Sequence, residues 1–288
     1  VSVDGTHLGH NLPDGTGNRY CINIVSVAGP PPTQGAIGTV PQLEAASVLQ
    51  QEGAEDVRDV PISVGTLQSP LRNRYWAVRH GQSEANAAGV ISSDPATGST
   101  IHGLTALGKS QAREAAVTLM EAIGPDRIPD VLLYSSNFTR ARQTAAEIGD
   151  DLEGRLGLEL GSLQVNIEIG LRERCFGELD GEYNNVTLAK YKRFCSAEMK
   201  DATYGAYGVE SVDDVCRRVK GVIETLEGRH SGKDIVLASH GDTLQILQTF
   251  MAGVDPRSHG SFRFRNGEVR RLLLADTAMT PPVPMTNV

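Results

Sequence analysis

Apolar and polar positions recur in a fixed order from about residue 74 onward: a short apolar run, a turn rich in glycine or polar residues, then apolar residues at helical spacing. Tyr75-Trp76-Ala77-Val78 runs into Arg79-His80-Gly81 before a small-residue helix start at Ser83-Glu84-Ala85-Asn86. Val131-Leu132-Leu133-Tyr134 passes through Ser135-Ser136-Asn137 into Thr139–Ala145. Val165–Ile169 leads to Leu171–Gly181, and Asp234–Ser239 ends in His240-Gly241 before a helix over Leu244–Met251. Runs this short, bounded by turn residues, read as buried strands. Between them, Leu107, Ala112, Ala115, Ala116, Leu119 and Ile123 mark one face of a helix that Thr105 caps and Gly124-Pro125 ends. Val215, Val219, Val222, Ile223 and Leu226 mark another, started by Ser211 with Asp214 in the third position after the cap. Val186–Lys200 reads as a basic, aromatic-bearing helix leading to a loop over Asp201–Val209. Ile91–Ser99 reads as loop, and Phe262–Phe264 and Val269–Leu274 as closing strands. Strands alternating with helices give an α/β, three-layer architecture, a mostly parallel central sheet with helices on both faces.

The flanks differ in texture. Residues 1–70 form a partly ordered N-terminal extension punctuated by Gly and Pro, with a strand expected at Tyr20–Val27 and a helix at Pro41–Gln51. Residues 71–276 make one domain, and 277–288 a C-terminal tail containing Pro281-Pro282-Val283-Pro284. With 288 residues and 40% hydrophobic content the chain can bury a sizeable core. A net charge of −8 argues against binding nucleic acid or an anionic membrane by bulk electrostatics, so an anion site must be a local arginine cluster. Cys21, Cys175, Cys195 and Cys216 show neither a C-x-x-C pair nor zinc spacing, and no apolar run approaches membrane-spanning length. These features point to a cytoplasmic protein. An organellar address stays open because the sequence starts at Val1 rather than Met.

Chemistry gathers where the strands end, the edge at which open α/β sheets place ligands. Arg79 brings a guanidinium able to hold an oxyanion through two parallel hydrogen bonds, Gly81 allows close backbone approach, and Ser83 suits an N-cap. Arg140 falls at a helix start, where unpaired amide donors already favour an anion. Glu173, taken alone, reads as well as a salt bridge to Arg172 or Arg174.

Together these stretches resemble the histidine phosphatase superfamily, which includes phosphoglycerate mutases. Arg79-His80-Gly81 with Ser83 and Asn86 is similar to its first signature, and Leu104 to Ala112 to its L-T-x-x-G-x-x-Q-A helix. Ser136 to Ala145 resembles its S-x-x-x-R-A-x-Q-T-A arginine motif, Leu171 to Gly177 its L-x-E-x-x-x-G segment, and His240-Gly241 its second histidine. The resemblance implies a phosphoglycerate mutase-like fold and a phosphatase that hydrolyses phosphomonoesters through a phosphohistidine, with no metal and no cofactor. It assigns His80 as nucleophile, Glu173 as proton donor and acceptor, and His240 as a further active-site residue, with Arg79, Asn86, Arg140 and His240 gripping phosphate. Ser83, His102, Lys190 and Arg193 are the candidate substrate contacts. The implied partner is a small phosphorylated substrate or a phosphoprotein, not nucleic acid or membrane, and the oligomeric state is open. A phosphoglycerate-type mutase and a non-catalytic phosphate-binding module are the alternatives on the same scaffold. The mutase is disfavoured because the segment between Glu173 and His240 is shorter than mutases carry there.

Overall fold

A computed structural model describes residues 59–68, 70–182 and 185–274, together with two short antiparallel strands at Leu12–Asp14 and Gly17–Arg19. The expected strand at Tyr20–Val27 and helix at Pro41–Gln51 lie outside the described residues. In chain order the elements that place the site are β1 (Arg74–Arg79), α1 (Glu84–Ala88), β2 (Val90–Ile91), α2 (Ala106–Ile123), β3 (Leu132–Ser135), α3 (Thr139–Leu156) and β4 (Val165–Ile167). These are followed by β5 (Gly181–Glu182), α4 (Asn185–Glu198), α5 (Val212–Arg229), β6 (Asp234–Ser239), α6 (Gly241–Met251) and β7 (Val269–Leu272).

The central sheet runs β4-β3-β6-β1-β7, parallel throughout except for β7, which lies antiparallel to β1. Successive side chains of a strand point to opposite faces, and β1 shows both destinations. Tyr75 and Ala77 join α5 and α6 in a core that includes Val215, Val219, Ile223, Leu244 and Leu247. Trp76 and Val78 join α2 and α3 on the other face, with Ala112, Leu119, Ile148 and Leu152. Both faces of the strand are buried, which is why its sequence is a continuous apolar run rather than an alternating one. The helix caps fall where the sequence places them. Thr105 accepts from the Gly108 amide at 3.1 Å, and Ser211 from the Asp214 amide at 3.1 Å.

A third, smaller cluster of Phe176, Leu179, Phe194 and Val209 packs α4 and its neighbouring loops into a cover beside the sheet edge. Asp59–Gln68 packs onto the α5/α6 face. Ile62, Val64 and Leu67 pack against the α5/α6 core, the Ser63 amide and hydroxyl bond Asp213 at 2.5 and 2.7 Å, and Val60 bridges to Asp201.

Four local readings are corrected. Ile91–Ser99 is not all loop: Val90–Ile91 pairs with Gly181–Glu182, and Asp94 caps a helical turn over Pro95–Gly98 through the Ala96 amide at 2.8 Å. Phe262–Phe264 is not a strand, because side chains take its carbonyls: Arg79 Nη1 donates to Phe264 O at 2.7 Å, and Gln248 Nε2 and Arg270 Nη1 donate to Phe262 O. The strand begun at Val165 stops at Ile167, where Glu168 caps a 3-10 turn through the Gly170 amide at 3.0 Å. The loop Asp201–Val209 contains a 3-10 turn at Ala206–Gly208, in which Tyr207 has a left-handed φ of 61°. Among the described residues no helix is long and apolar enough to cross a membrane.

Candidate active site at the carboxyl edge of the sheet

β1 and β6 pair in parallel with Arg79 opposite Ser239, so the residues that follow, His80 and His240, leave the sheet side by side. Their rings meet edge to face with centroids 5.1 Å apart, and both are buried. β3 ends beside β6, bringing Ser136 against His240 and starting α3 with Arg140 in its first turn.

Hydrogen bonding fixes the state of the His80 ring. His80 Nδ1 lies 2.7 Å from the Gly81 carbonyl, which can only accept, so the ring proton sits on Nδ1 and Nε2 carries a lone pair. Arg140 Nε donates to that Nε2 at 3.1 Å. Burial first, then the Arg140 and Arg79 guanidinium charges, hold the His80 pKa well below its ordinary value. His240 is depressed in the same direction, by burial and then by Arg140 and His80. The Ser136 hydroxyl accepts from the Phe138 amide at 3.1 Å and lies 2.9 Å from His240 Nε2.

Arg79 is anchored through Nη1 to Phe264 O at 2.7 Å, and Arg140 through Nη2 to Ser92 O at 2.7 Å. What these bonds leave is informative: the donors Arg79 Nε and Arg140 Nη1 and the ring nitrogen His240 Nδ1 are buried without a protein partner. Buried polar groups are ordinarily paired, and two guanidinium groups beside the His80 lone pair make a set that the oxygens of a phosphoryl group would complete. Burial lowers the pKa of both arginines, that of Arg140 to about 10, and each remains a cation at neutral pH.

Asn86 is held by a reciprocal cap at the start of α1. Its amide N–H donates to Ser83 Oγ at 3.2 Å, and its Oδ1 accepts from the Ser83 amide at 3.1 Å and from Asn266 Nδ2 at 3.3 Å. With Oδ1 committed to the cap, the side-chain amide nitrogen is the end Asn86 has to offer. Ser83 is fully buried and its hydroxyl is held in that cap, where it orients Asn86. Gly81 also has a different reason from the expected one. A Cβ there would lie 2.2 Å from the Gly108 carbonyl oxygen, and one on Gly108 would lie 2.1 Å from the Gln82 carbonyl oxygen, so the two glycines let the loop and α2 touch backbone to backbone.

Glu173 follows a segment latched onto β6 and α6, with Ser239 Oγ donating to Leu171 O at 2.6 Å and Thr243 Oγ1 to Arg172 O at 2.7 Å. Its Oε1 accepts from the Arg174 amide at 3.0 Å and lies 3.3 Å from both the amide and the hydroxyl of Thr243. The salt-bridge alternative is not what forms. Arg172 donates to Asn137 Oδ1 at 2.7 Å, and Arg174 pairs with Glu198 at 2.6 Å and Asp242 at 3.6 Å. Burial and the neighbouring Asp242 charge raise the Glu173 pKa above the usual carboxylate value. The nearby acids serve elsewhere: Asp180 accepts from the Ser93 amide at 2.6 Å, and Glu178 pairs with Lys190 at 3.3 Å.

Of the remaining candidates, His102 has a left-handed φ of 57° and its Nδ1 lies 2.9 Å from the hydroxyl of Ser92, the residue whose carbonyl anchors Arg140. Lys190 lies 5.1 Å from the centre of the Tyr207 ring, within the cover, and Arg193 is half-buried on α4. Ser92, Ser136, Asp242 and Thr243 are the residues the sequence reading assigned no role. Only position signals them: Ser92 and Ser136 follow strand ends, and Asp242 and Thr243 lie two and three residues after His240.

A family model described as histidine phosphatase superfamily (branch 1) matches residues 75–280. The chain is 30% identical over 182 residues to glucosyl-3-phosphoglycerate phosphatase of Mycobacterium tuberculosis, covering 60% of this chain and 73% of that one. It is 29% identical over 174 residues to phosphoglycerate mutase-like protein 4 of Arabidopsis thaliana, covering 59% of this chain and 67% of that one. Among solved structures, a mycobacterial glucosyl-3-phosphoglycerate phosphatase in complex with VO3 superposes with a TM-score of 0.54 at 25% identity, over 69% of this chain and 91% of that one.

Proposed function

The chain belongs to the histidine phosphatase superfamily (branch 1), and from that premise we propose that it is a phosphatase, hydrolysing phosphomonoesters through a phosphohistidine formed on His80. The observation that carries the reading is the locked ring of His80: Nδ1–H on the Gly81 carbonyl and a lone pair on Nε2 beside Arg140. A nucleophilic imidazole must be neutral, and burial between two guanidinium groups keeps it so at neutral pH.

In the first step Nε2 attacks phosphorus, the P–O bond to the alcohol breaks, and Glu173 gives its proton to the departing oxygen. In the second, the Glu173 carboxylate takes a proton from water as the water oxygen attacks phosphorus and the N–P bond breaks, returning His80 and releasing phosphate. Charge developing on the phosphoryl oxygens is met by Arg79, Arg140, Asn86 and His240. A carboxyl serves both steps best when its pKa is raised toward the working pH, the direction in which Glu173 is shifted. Relatives named glucosyl-3-phosphoglycerate phosphatase, adenosylcobalamin/α-ribazole phosphatase and phosphoserine phosphatase 1 support a small phosphorylated substrate.

Brief incubation with a 32P-labelled phosphomonoester, quenched in alkali, is expected to leave label on His80 in an acid-labile bond, and His80→Ala to lose both label and turnover. Label that is acid-stable, as in phosphoserine, or that is lost in the alkaline quench but retained in an acid one, as in an aspartyl phosphate, would sink the mechanism.

A further inference from the structure

Beneath Glu173 lies a buried ionic cluster that the proposed chemistry does not use directly. Arg174 is 1% exposed, and its guanidinium reaches Glu198 at the end of α4 (2.6 Å) and Asp242 at the start of α6 (3.6 Å), while its Nε donates to Glu210 O at 2.6 Å. Asp242 Oδ2 also lies 3.8 Å from His259 Nε2, on the 3-10 turn Pro256–Ser261. Two members of this cluster are one residue from the acid site: Arg174 follows Glu173, and Asp242 precedes Thr243, whose amide and hydroxyl lie 3.3 Å from the Glu173 carboxylate. The residues therefore run in two parallel pairs, Glu173 against Thr243 and Arg174 against Asp242.

We propose that Asp242 is a positioning residue for the acid step: with Glu198 it holds the Arg174 guanidinium off Glu173, and it stands as a fixed negative charge beside that carboxyl. The inference rests on Glu173 being the proton donor. A buried arginine next in sequence to a carboxylate would ordinarily pair with it, and such a pair would keep the carboxylate ionised and unable to protonate a leaving group. Drawing the guanidinium onto two other carboxylates removes that tie.

The groups that act on Glu173 come from several elements. Asp242 of α6 favours the protonated form, and Arg140 of α3 and Arg79 of β1 oppose it. Asp242 itself is faced by His259, Arg174 and Arg263, which hold it ionised, with its pKa lowered to about 2. Of these two acids Asp242 carries the charge and Glu173 the proton, because the Asp242 carboxylate lies within ion-pair reach of Arg174 and His259, whereas the Glu173 oxygen contacts the Arg174 and Thr243 amides and the Thr243 hydroxyl.

The test is the pH profile of kcat/KM of the full chain for an alkyl and an aryl phosphomonoester. In the parent, activity toward the alkyl ester should fall on the alkaline side as Glu173 loses its proton. In Asp242→Asn that limb is expected to move toward acid by about one pH unit, an alkyl-ester rate on the order of tenfold lower above it, with the aryl ester little changed; Asp242→Glu should restore the limb. Glu198→Gln, which loosens the other hold on Arg174, should move the same limb in the same direction, and it serves where Asp242→Asn does not fold. A limb unmoved in a folded variant, with the rate lowered equally at every pH and for both esters, overturns the proposal. A parental limb that persists in Glu173→Gln belongs to another group and overturns the role of Glu173, and this inference with it.

Discussion

At the scale of single residues, the division of labour between anchored and unanchored atoms decides what a substitution does. Arg79 uses Nη1 to hold the Phe264 carbonyl and keeps Nε for the pocket. Lysine has one charged nitrogen and cannot serve both, so Arg79→Lys is expected to lose about 3 kcal/mol of transition-state stabilisation, on the order of a hundredfold in kcat/KM, although the charge is unchanged. Turnover within twofold of the parent would make Arg79 a purely structural residue. Glu173 yields a different signature, because its oxygen holds no cation in the fold. Glu173→Gln should slow alkyl phosphates far more than aryl phosphates, whose leaving oxygens need little proton assistance, and should accumulate phosphohistidine with the aryl ester because water is no longer activated. Equal rates for both esters at parental levels, with the leaving-group dependence appearing instead in Glu178→Gln, would move the acid role to Glu178.

At the scale of elements, what the sequence made legible was whatever is local. Apolar runs ending in Arg79-His80 and Ser239-His240 announced parallel strands whose ends share an edge, and Thr105 and Ser211 announced helix starts, since a cap is a contact between residues three apart. Contacts distant in sequence were not legible. Arg174 looked like a partner for its neighbour Glu173, and only the arrival of Glu198 and Asp242 from α4 and α6 shows where its charge goes. Phe262–Phe264 has the composition of a strand, but guanidinium groups of Arg79 and Arg270 occupy its carbonyls. Gly81 and Gly108 belong to this class too, each glycine answering the backbone of the other element. Gly81→Ala should cost roughly 1–3 kcal/mol of stability by urea unfolding, because neither backbone can retreat without moving α2. Gly154, on α3 with nothing near its Cβ position, provides the contrast: Gly154→Ala is expected to stabilise by about 0.5–1 kcal/mol. Equal stability of Gly81→Ala and the parent would mean the loop and α2 do not touch as described.

At the scale of the whole molecule, burying the site makes folding depend on pH, and the sign follows from the histidines. His80 and His240 have folded pKa values well below 6.5, so each contributes stability that is present above the unfolded value and is lost as pH falls below it, the unfolded chain taking up protons that the folded chain refuses. His259 is shifted upward through its contact with Asp242, so its contribution is complete below pH 6.5 and is lost only as pH rises through its folded value. Glu173, also raised, takes its proton earlier in the folded state than in the unfolded one, which favours folding as pH drops and opposes part of the histidine effect. The carboxylates with lowered values, among them Asp214, Asp234 and Asp242, lose their contributions only below about pH 4. Between about pH 6.5 and 5 the two site histidines therefore set the trend, each able to remove about 1.4 kcal/mol per pH unit, against one opposing carboxyl. The thermal midpoint should fall as pH is lowered through that window, and the fall should be shallower in His240→Asn, where one of the two groups no longer titrates. Inorganic phosphate at millimolar concentration should raise the midpoint of the parent by binding the folded state alone, with a smaller rise in Arg140→Ala, which removes one of the unanchored buried donors. A midpoint that stayed flat from pH 6.5 to 5 in the parent would mean that His80 and His240 take up protons in the folded protein, and a protonated His80 has no lone pair with which to attack phosphorus.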